Sequence, residues 1–189
     1  ARRAHAGLAR RVHFKQAVEP LDDLHARPHV GGFQGHVGDA VDLDAGRDLD
    51  AAEAAFTLLF SEYPTSSRVD NGKYYHGKCA YERGQFAEAV IRFTDVMTNY
   101  PASIYYDNAW YYRAHSKYLA DLFTDAIADF VAFANEPSHV GSIYMDNTSY
   151  FTGRSYIELG LAGTNAIANF TASIPYFDDV INTYTASNY

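Results

Sequence analysis

The sequence predicts an all-α fold, a superhelix of stacked antiparallel helix-turn-helix repeats. Small and apolar residues recur at helical spacing from Gly77 to Pro101, with a break at Gly84-Gln85 and a stop before the proline. The same pattern returns at a period near forty residues, which indicates helical hairpins stacked side by side. Each predicted helix has a single apolar stripe, and this stripe can be buried only against neighbouring helices.

The clearest unit is the pair of helices predicted on either side of Gly84. Small residues at Gly77 and Ala89 allow these two helices to approach closely. The rings of Tyr81 and Phe93 are then expected to fill the space around that contact. The pattern therefore predicts a tightly packed hairpin whose helices meet at a glycine.

The remaining elements follow from the same spacing and from the residues that stop helices. Tyr63-Pro64 and Pro101 each end one helix and separate it from the next. The first predicted helix begins at about Asp39 or Asp48 and ends at Glu62. The others cover about 68–83, 86–99, 104–119, 124–135 and a longer segment that ends near Leu159. We place repeat units at about 48–64, 68–101, 105–137 and 144–185 of a repeat domain that spans 48–189.

The last unit is irregular. Pro175 lies inside its final predicted helix, and Gly160 and Gly163 interrupt the pattern. Aligning Phe177 with Phe93 restores the repeat if roughly one to two helical turns are inserted. We expect residues 164–172 to lengthen one helix or to form an extra turn.

Residues 1–47 form an atypical leader. The first fifty residues contain no Ser, Thr, Asn, Ile, Tyr, Met, Trp or Cys, although all eight types occur in the rest of the chain. This composition predicts a segment that is poorly ordered or that arises from an alternative reading frame of GC-rich DNA. His25 and His29 have the spacing of a helical metal pair, but Pro28 between them favours solvated loop histidines.

Charge and composition argue against several classes of function. The formal net charge of −8 makes a nucleic-acid partner unexpected, and no apolar run is long enough to cross a bilayer. No secretion signal is recognised, which leaves the compartment open. The single cysteine, Cys79, is expected to be a buried core residue rather than a nucleophile.

The order of small, aromatic and proline positions in 77–101 closely resembles the tetratricopeptide repeat, a helix-turn-helix unit of about 34 residues. Tyr-Pro-x-Ser at 63–66 and at 100–103, each followed by Asp-Asn-x-x-Tyr-Tyr, resembles the bacterial envelope branch of this family. That branch includes the periplasmic repeat protein of the Tol-Pal system and the repeat lipoprotein of the outer-membrane β-barrel assembly machine. The resemblance implies a right-handed superhelix that acts as a scaffold for a protein or peptide partner. It also implies a periplasmic or outer-membrane location, with a cytoplasmic one left open.

In this fold the first helix of each hairpin lines a concave groove, and residues one turn apart on it point the same way. Equivalent positions carry an amide, a tyrosine and a basic or potentially basic residue in three hairpins. These candidate ligand-binding residues are Asn71, Tyr74, Lys78, Asn108, Tyr111, His115, Asn147, Tyr150 and Arg154. The set predicts a clamp for an extended peptide or a chain terminus. The opposing interpretation is that the asparagines cap helices, the tyrosines pack in the core and the basic groups are solvated.

We predict no catalytic residue, no metal site and no cofactor. The sequence contains no Gly-rich phosphate loop, no His-Glu-x-x-His motif and no Gly-x-Ser-x-Gly elbow. Solvation on outer helix faces explains the carboxylates Glu82, Asp95, Asp125 and Asp129. Two alternatives stay open: an assembly subunit that self-associates through a C-terminal end without a capping helix and, more distantly, an accessory domain of an envelope hydrolase.

Overall fold

The computed structural model describes residues 49–163 and 165–184. Over these residues the protein contains seven α-helices and no strand, which confirms the all-α prediction. The helices are α1 (Leu49–Glu62), α2 (Val69–Glu82), α3 (Phe86–Asn99), α4 (Tyr106–Leu119), α5 (Phe123–Asn135), α6 (Met145–Leu161) and α7 (Ala166–Thr183), with a 3₁₀ turn at Pro137–His139. The predicted leader at 1–47, including the histidine pair, lies outside the described residues.

Each helix packs against the next one along the chain. The connections are short, so α2–α3, α4–α5 and α6–α7 form three antiparallel hairpins. The first helices of the hairpins also contact one another, α2 with α4 and α4 with α6. We call α2, α4 and α6 the inner helices. α1 packs against α2 as the second helix of a preceding unit.

The joints between units use a repeated serine turn. The Ser103 hydroxyl accepts a hydrogen bond from the backbone N–H of Tyr105, 3.2 Å away. Ser66 accepts from Arg68 in the same way before α2, and Ser142 has the equivalent role before α6. These turns occupy residues that the sequence analysis assigned to helix, so α4 begins at residue 106 rather than at 104.

The close approach predicted at Gly77 is confirmed. A Cβ atom added to Gly77 would lie 2.7 Å from the ring of Phe93, closer than packed atoms allow. The last hairpin repeats this contact, because a Cβ on Gly153 would lie 2.9 Å from the ring of Phe177. The alignment of Phe177 with Phe93 is therefore confirmed, and the fully buried Ala114 holds the corresponding position in the middle hairpin.

The last hairpin absorbs its extra residues in both of its helices. α6 has 17 residues and α7 has 18, whereas α2 and α3 have 14 each. The longer α6 was predicted, and residues 166–172 of the segment expected to lengthen a helix lie within α7. Gly160, near the end of α6, lets the Phe170 ring of α7 pack directly on the helix backbone, so the added segments of the two helices contact each other. Pro175 lies inside α7, as predicted.

The core consists mainly of aromatic rings. Four phenylalanine side chains are almost completely buried, and tyrosines of neighbouring units surround them. The fully buried side chains of this type are Phe56, Phe93, Phe130 and Phe133. Cys79 is also fully buried, and burial raises the pKa of its thiol to about 11. The prediction of a core cysteine is confirmed, because a thiol in this environment stays protonated and weakly nucleophilic.

Candidate functional site

The three candidate asparagines lie in the first turns of the inner helices, and each is partly exposed. Asn108 donates a hydrogen bond from Nδ2 to the Tyr144 hydroxyl, 2.6 Å away, so its amide links the second hairpin to the third. The side-chain oxygen of Asn71 is buried and has no hydrogen-bond partner within the described residues. A buried acceptor in that state costs about 1–3 kcal/mol. Asn147 lies at the matching position of α6.

The candidate tyrosines mainly hold the units together. Tyr74 stacks on Tyr105 of the next unit with ring centroids 4.8 Å apart, and Tyr111 stacks on Tyr144 at 4.4 Å. Both are buried, and burial raises the pKa of the Tyr74 hydroxyl well above its usual range. Their burial agrees with the interpretation that these tyrosines pack in the core, and it leaves little surface of either ring for a ligand. Tyr150, the third member of the row, is partly exposed.

Lys78 is only 9% exposed, whereas both interpretations of the sequence placed its charge outside the core, either in the groove or in solvent. Its ammonium group lies 3.0 Å from the Glu82 carboxylate and 3.8 Å from the centroid of the Tyr112 ring. An ion pair together with a cation–π contact accounts for a lysine in this position. The charge of Lys78 is therefore largely used inside the protein.

His115 is almost completely buried, and its ring is stacked on Tyr111. Its Nδ1 atom lies 2.8 Å from the Tyr81 hydroxyl, which donates to it in the neutral tautomer that carries hydrogen on Nε2. Burial lowers the pKa of His115 to about 3, and the nearby charge of Lys78 acts in the same direction. The imidazole is consequently neutral at neutral pH and supplies no positive charge for a ligand carboxylate.

Arg154 is the most accessible of the three candidate basic residues, with 35% of its side chain exposed. One guanidinium nitrogen lies 3.2 Å from the Glu158 carboxylate, and another donates to the Tyr150 hydroxyl at 3.2 Å. These bonds hold the guanidinium at the surface of α6. The ligand-binding role of all nine candidate residues stays a prediction, and their accessible part is the asparagine row, Tyr150 and Arg154.

The aspartates of the Asp-Asn motifs connect each unit to the following joint. The Ser103 hydroxyl donates to Asp70, 2.7 Å away, across the first joint. Across the second joint, Asp107 lies 3.1 Å from Nε2 of the buried His139. Each carboxylate also lies in the first turn of its helix, where negative charge is stabilising. The recurrence of Asp beside Asn therefore has a structural cause.

The environment of Asp129 was predicted wrongly. It is 9% exposed, although we expected a solvated carboxylate on an outer face. Arg113 binds both of its oxygens at 2.8 and 3.0 Å, and the Lys117 ammonium lies 2.8 Å from one of them. The signal in the sequence is the spacing of Arg113 and Lys117, which places both cations on one face of α4.

The described residues contain neither a candidate metal site nor a candidate membrane-spanning helix. No group of three or more His, Cys, Asp or Glu side chains is placed to hold a metal ion in this part of the chain. Within 49–163 and 165–184, no helix combines the length and the apolar character that crossing a membrane requires.

A family model described as a tetratricopeptide repeat matches residues 73–103. The match begins within α2, includes all of α3 and ends at Ser103 in the first joint. Neither the curated proteins nor the solved structures give a match to this chain. The fold and the family match together define a helical-repeat protein whose α2–α3 hairpin is similar to a tetratricopeptide repeat. Repeats of this family generally mediate protein–protein interaction and are typically non-catalytic.

Proposed function

We propose that this protein is a non-catalytic scaffold of the bacterial cell envelope that binds an extended protein segment along its inner helices. The observation that carries the proposal is the recurrence of one partly exposed asparagine in the first turn of α2, α4 and α6. An amide can donate to and accept from a peptide backbone, so a row of amides suits an extended chain of any sequence. The Tyr-Pro-x-Ser joints, which resemble those of envelope repeat proteins, support the location.

The scaffold acts by preorganisation. Aromatic stacks between Tyr74 and Tyr105 and between Tyr111 and Tyr144 lock each hairpin to the next. The asparagine row is therefore held in place before the partner arrives, and little conformational entropy is lost on binding. Arg154 at the end of the row adds an accessible cation for a carboxylate of the bound segment.

The proposed binding of a partner along the inner helices is tested with the double variant Asn71→Ala/Arg154→Gln. This variant removes the amide oxygen of Asn71 that has no hydrogen-bond partner in the described part of the chain and the accessible cation of Arg154. A partner is first captured from a bacterial envelope extract with the intact chain, and its affinity is then measured with both proteins pure. We expect the variant to bind about tenfold or more weakly, because a charge-assisted hydrogen bond and a backbone-directed amide are both lost. Lys78 is left unchanged because its ammonium group is packed on Tyr112.

Asn135→Ala/Arg68→Gln is the matched control for this experiment. It removes the same two residue types at exposed positions outside the row. Circular dichroism and thermal unfolding show whether both variants keep the fold. Equal affinity of the intact protein and the Asn71→Ala/Arg154→Gln variant for the captured partner would place the interface elsewhere.

A second candidate function, an assembly subunit that associates with its own copies, is favoured by the outer surface of α7. Ile167, Ile174 and Ile181 are spaced seven residues apart and are 84%, 54% and 67% exposed. Phe170 borders this stripe, because its ring packs on Gly160 of α6 and is still 39% exposed. A stripe with this period suits packing against a second helix, and an apolar surface of this kind marks an interaction site.

Sedimentation of the intact chain and of Ile174→Lys/Ile181→Lys tests the assembly function. If α7 joins two copies, the intact protein sediments as a dimer at high concentration and the variant as a monomer, because two lysines in an apolar interface are unpaired. Ile91→Lys, at an exposed position of α3, is the control and should not alter the assembly state. A monomeric intact protein excludes this candidate and leaves the groove proposal unaffected.

A further inference from the structure

The first two hairpins each carry an open cleft at the end where the joints lie. The first cleft lies between the loop before α2 and the loop after α3, and its volume is about 440 Å³. The second lies between the loop before α4 and the loop after α5, and its volume is about 460 Å³. The clefts are equivalent in the repeat, so differences in their lining reflect sequence rather than architecture.

The second cleft has an aromatic wall of two rings, whereas Tyr100 is the one aromatic residue that lines the first. Tyr106 and Trp110, on consecutive turns of α4, both line it. The corresponding positions of α2 are Val69 and Lys73, and the Lys73 ammonium group is paired with Asp95 at 3.0 Å. α6 carries a methionine and a serine at these positions. The pair of large rings is therefore specific to the middle hairpin.

The aromatic wall is held rigidly. The rings of Tyr106 and Trp110 meet edge to face, with centroids 6.0 Å apart and planes at 87°. Trp110 also packs on Phe133 and His139 behind it, and its indole N–H donates to the backbone oxygen of Asp129 at 3.2 Å. A ring fixed in this way presents the same surface to a ligand without rearrangement.

Two carboxylates line the same cleft. The side chain of Asp107 is 43% exposed, and one of its oxygens faces His139. Glu136 follows the last residue of α5 and accepts a hydrogen bond from Ser138 at 3.2 Å. None of the residues that line the cleft is a lysine or an arginine, so the cleft has no cation of its own. The whole chain is also acidic, with a net charge of −8.

We propose that the second cleft, at the end of the α4–α5 hairpin, binds a lysine or arginine side chain of a protein partner. The aliphatic part of that side chain packs against the rings of Tyr106 and Trp110, and its cationic group lies against the ring faces and the carboxylates of Asp107 and Glu136. The first cleft lacks both large rings of this wall. The cleft uses none of the asparagine row, so this inference stands or fails independently of the proposed groove.

Trp110 is the only tryptophan of the chain, so its fluorescence reports directly on the cleft. The intact protein is titrated with acetyl-Gly-Lys-Gly-amide and with the peptide in which norleucine replaces lysine. We expect a saturable change of emission with the lysine peptide, with a dissociation constant on the order of 1 mM, and none with norleucine. Equal responses to both peptides, or no saturable response to lysine, would overturn the proposal.

Variants identify the groups responsible. Glu136→Gln keeps an acceptor for Ser138 and is expected to weaken binding several-fold. Asp107→Asn/Glu136→Gln removes both charges and is expected to weaken it by about tenfold or more. Asp121→Asn/Asp125→Asn changes the net charge equally at exposed positions away from the cleft and should bind as the intact protein does. Unchanged affinity in the Asp107→Asn/Glu136→Gln variant, with its helicity preserved, would contradict the assignment.

Discussion

Replacing Phe93 with alanine is expected to lower the free energy of unfolding by about 3–5 kcal/mol. Phe93 is fully buried, and its ring lies directly over Gly77, where a Cβ atom has no room. It also packs between Tyr74 and Tyr112, with ring centroids 5.9 Å away in both cases. Removing the ring leaves a cavity that joins two hairpins, and urea unfolding followed by circular dichroism measures the loss.

Ile91→Ala is the matched control for this prediction. Ile91 lies two residues before Phe93 on α3, and its side chain is 64% exposed. Its replacement is expected to change the free energy of unfolding by less than about 0.5 kcal/mol. Similar losses for the two variants would show that the interior of the α2–α3 hairpin is not packed as described.

The second prediction with a large expected effect concerns His115, whose protonation makes the stability of the protein depend on pH. Burial, assisted by the charge of Lys78, lowers the pKa of His115 to about 3 in the folded protein, whereas the unfolded chain has a pKa of about 6.5. Between these two values the unfolded chain binds a proton and the folded protein does not. The contribution of His115 to stability is therefore complete above about pH 6.5 and is lost as the pH falls toward 3.

Between about pH 7 and pH 4.5 this single residue is expected to account for about 2–3 kcal/mol of lost stability. The measurement is urea unfolding at both pH values for the intact protein and for His115→Gln, in which the amide can still accept from Tyr81. The difference between the two proteins in their loss of stability isolates His115, because carboxylates and the other histidines titrate in both. An equal loss in the variant would mean that His115 is protonated in the folded state.

His76 is the internal comparison for this effect. Burial and the charge of Arg92 lower its pKa to about 4, while the neighbouring Glu53 acts in the opposite direction. The shift has the same sign as that of His115, so His76 adds to the acid sensitivity in the same pH range. The smaller shift follows from its position at the edge of the α1–α2 contact, where it is only partly buried.

Local sequence signals were sufficient to predict the boundaries of a helix that is flanked by glycine and proline. Gly84 adopts a positive φ of 72°, which glycine accommodates without strain, and α3 begins two residues later and ends before Pro101. Both boundaries of α3 agree with the prediction. The start of α4 was misplaced because the hydroxyl of Ser103 competes with the helix for the backbone N–H of Tyr105.

The exposure of the candidate site residues could not be predicted from the sequence. Equivalent positions on the inner helices were correctly grouped by the repeat, but the grouping does not show how much of each side chain reaches solvent. Lys78 is covered by the Tyr112 ring from α4, whereas His115 of α4 is covered by the rings of Tyr81 from α2 and Phe151 from α6. Tyr81 and His115 lie 34 residues apart in the chain. Asp129 is buried for a related reason, since both of its cations come from the preceding helix.

The sequence by itself determined the all-α class, the stacking of three hairpins and the close contact at Gly77, because these follow from periodicity and from residue size. The tertiary structure decided which charges are buried and paired, and it created the cleft that brings together Trp110 of α4 and Glu136 of the segment after α5. The physical reason is that periodicity specifies the face of a helix on which a residue lies. The environment of that face depends on side chains contributed by helices distant in the sequence.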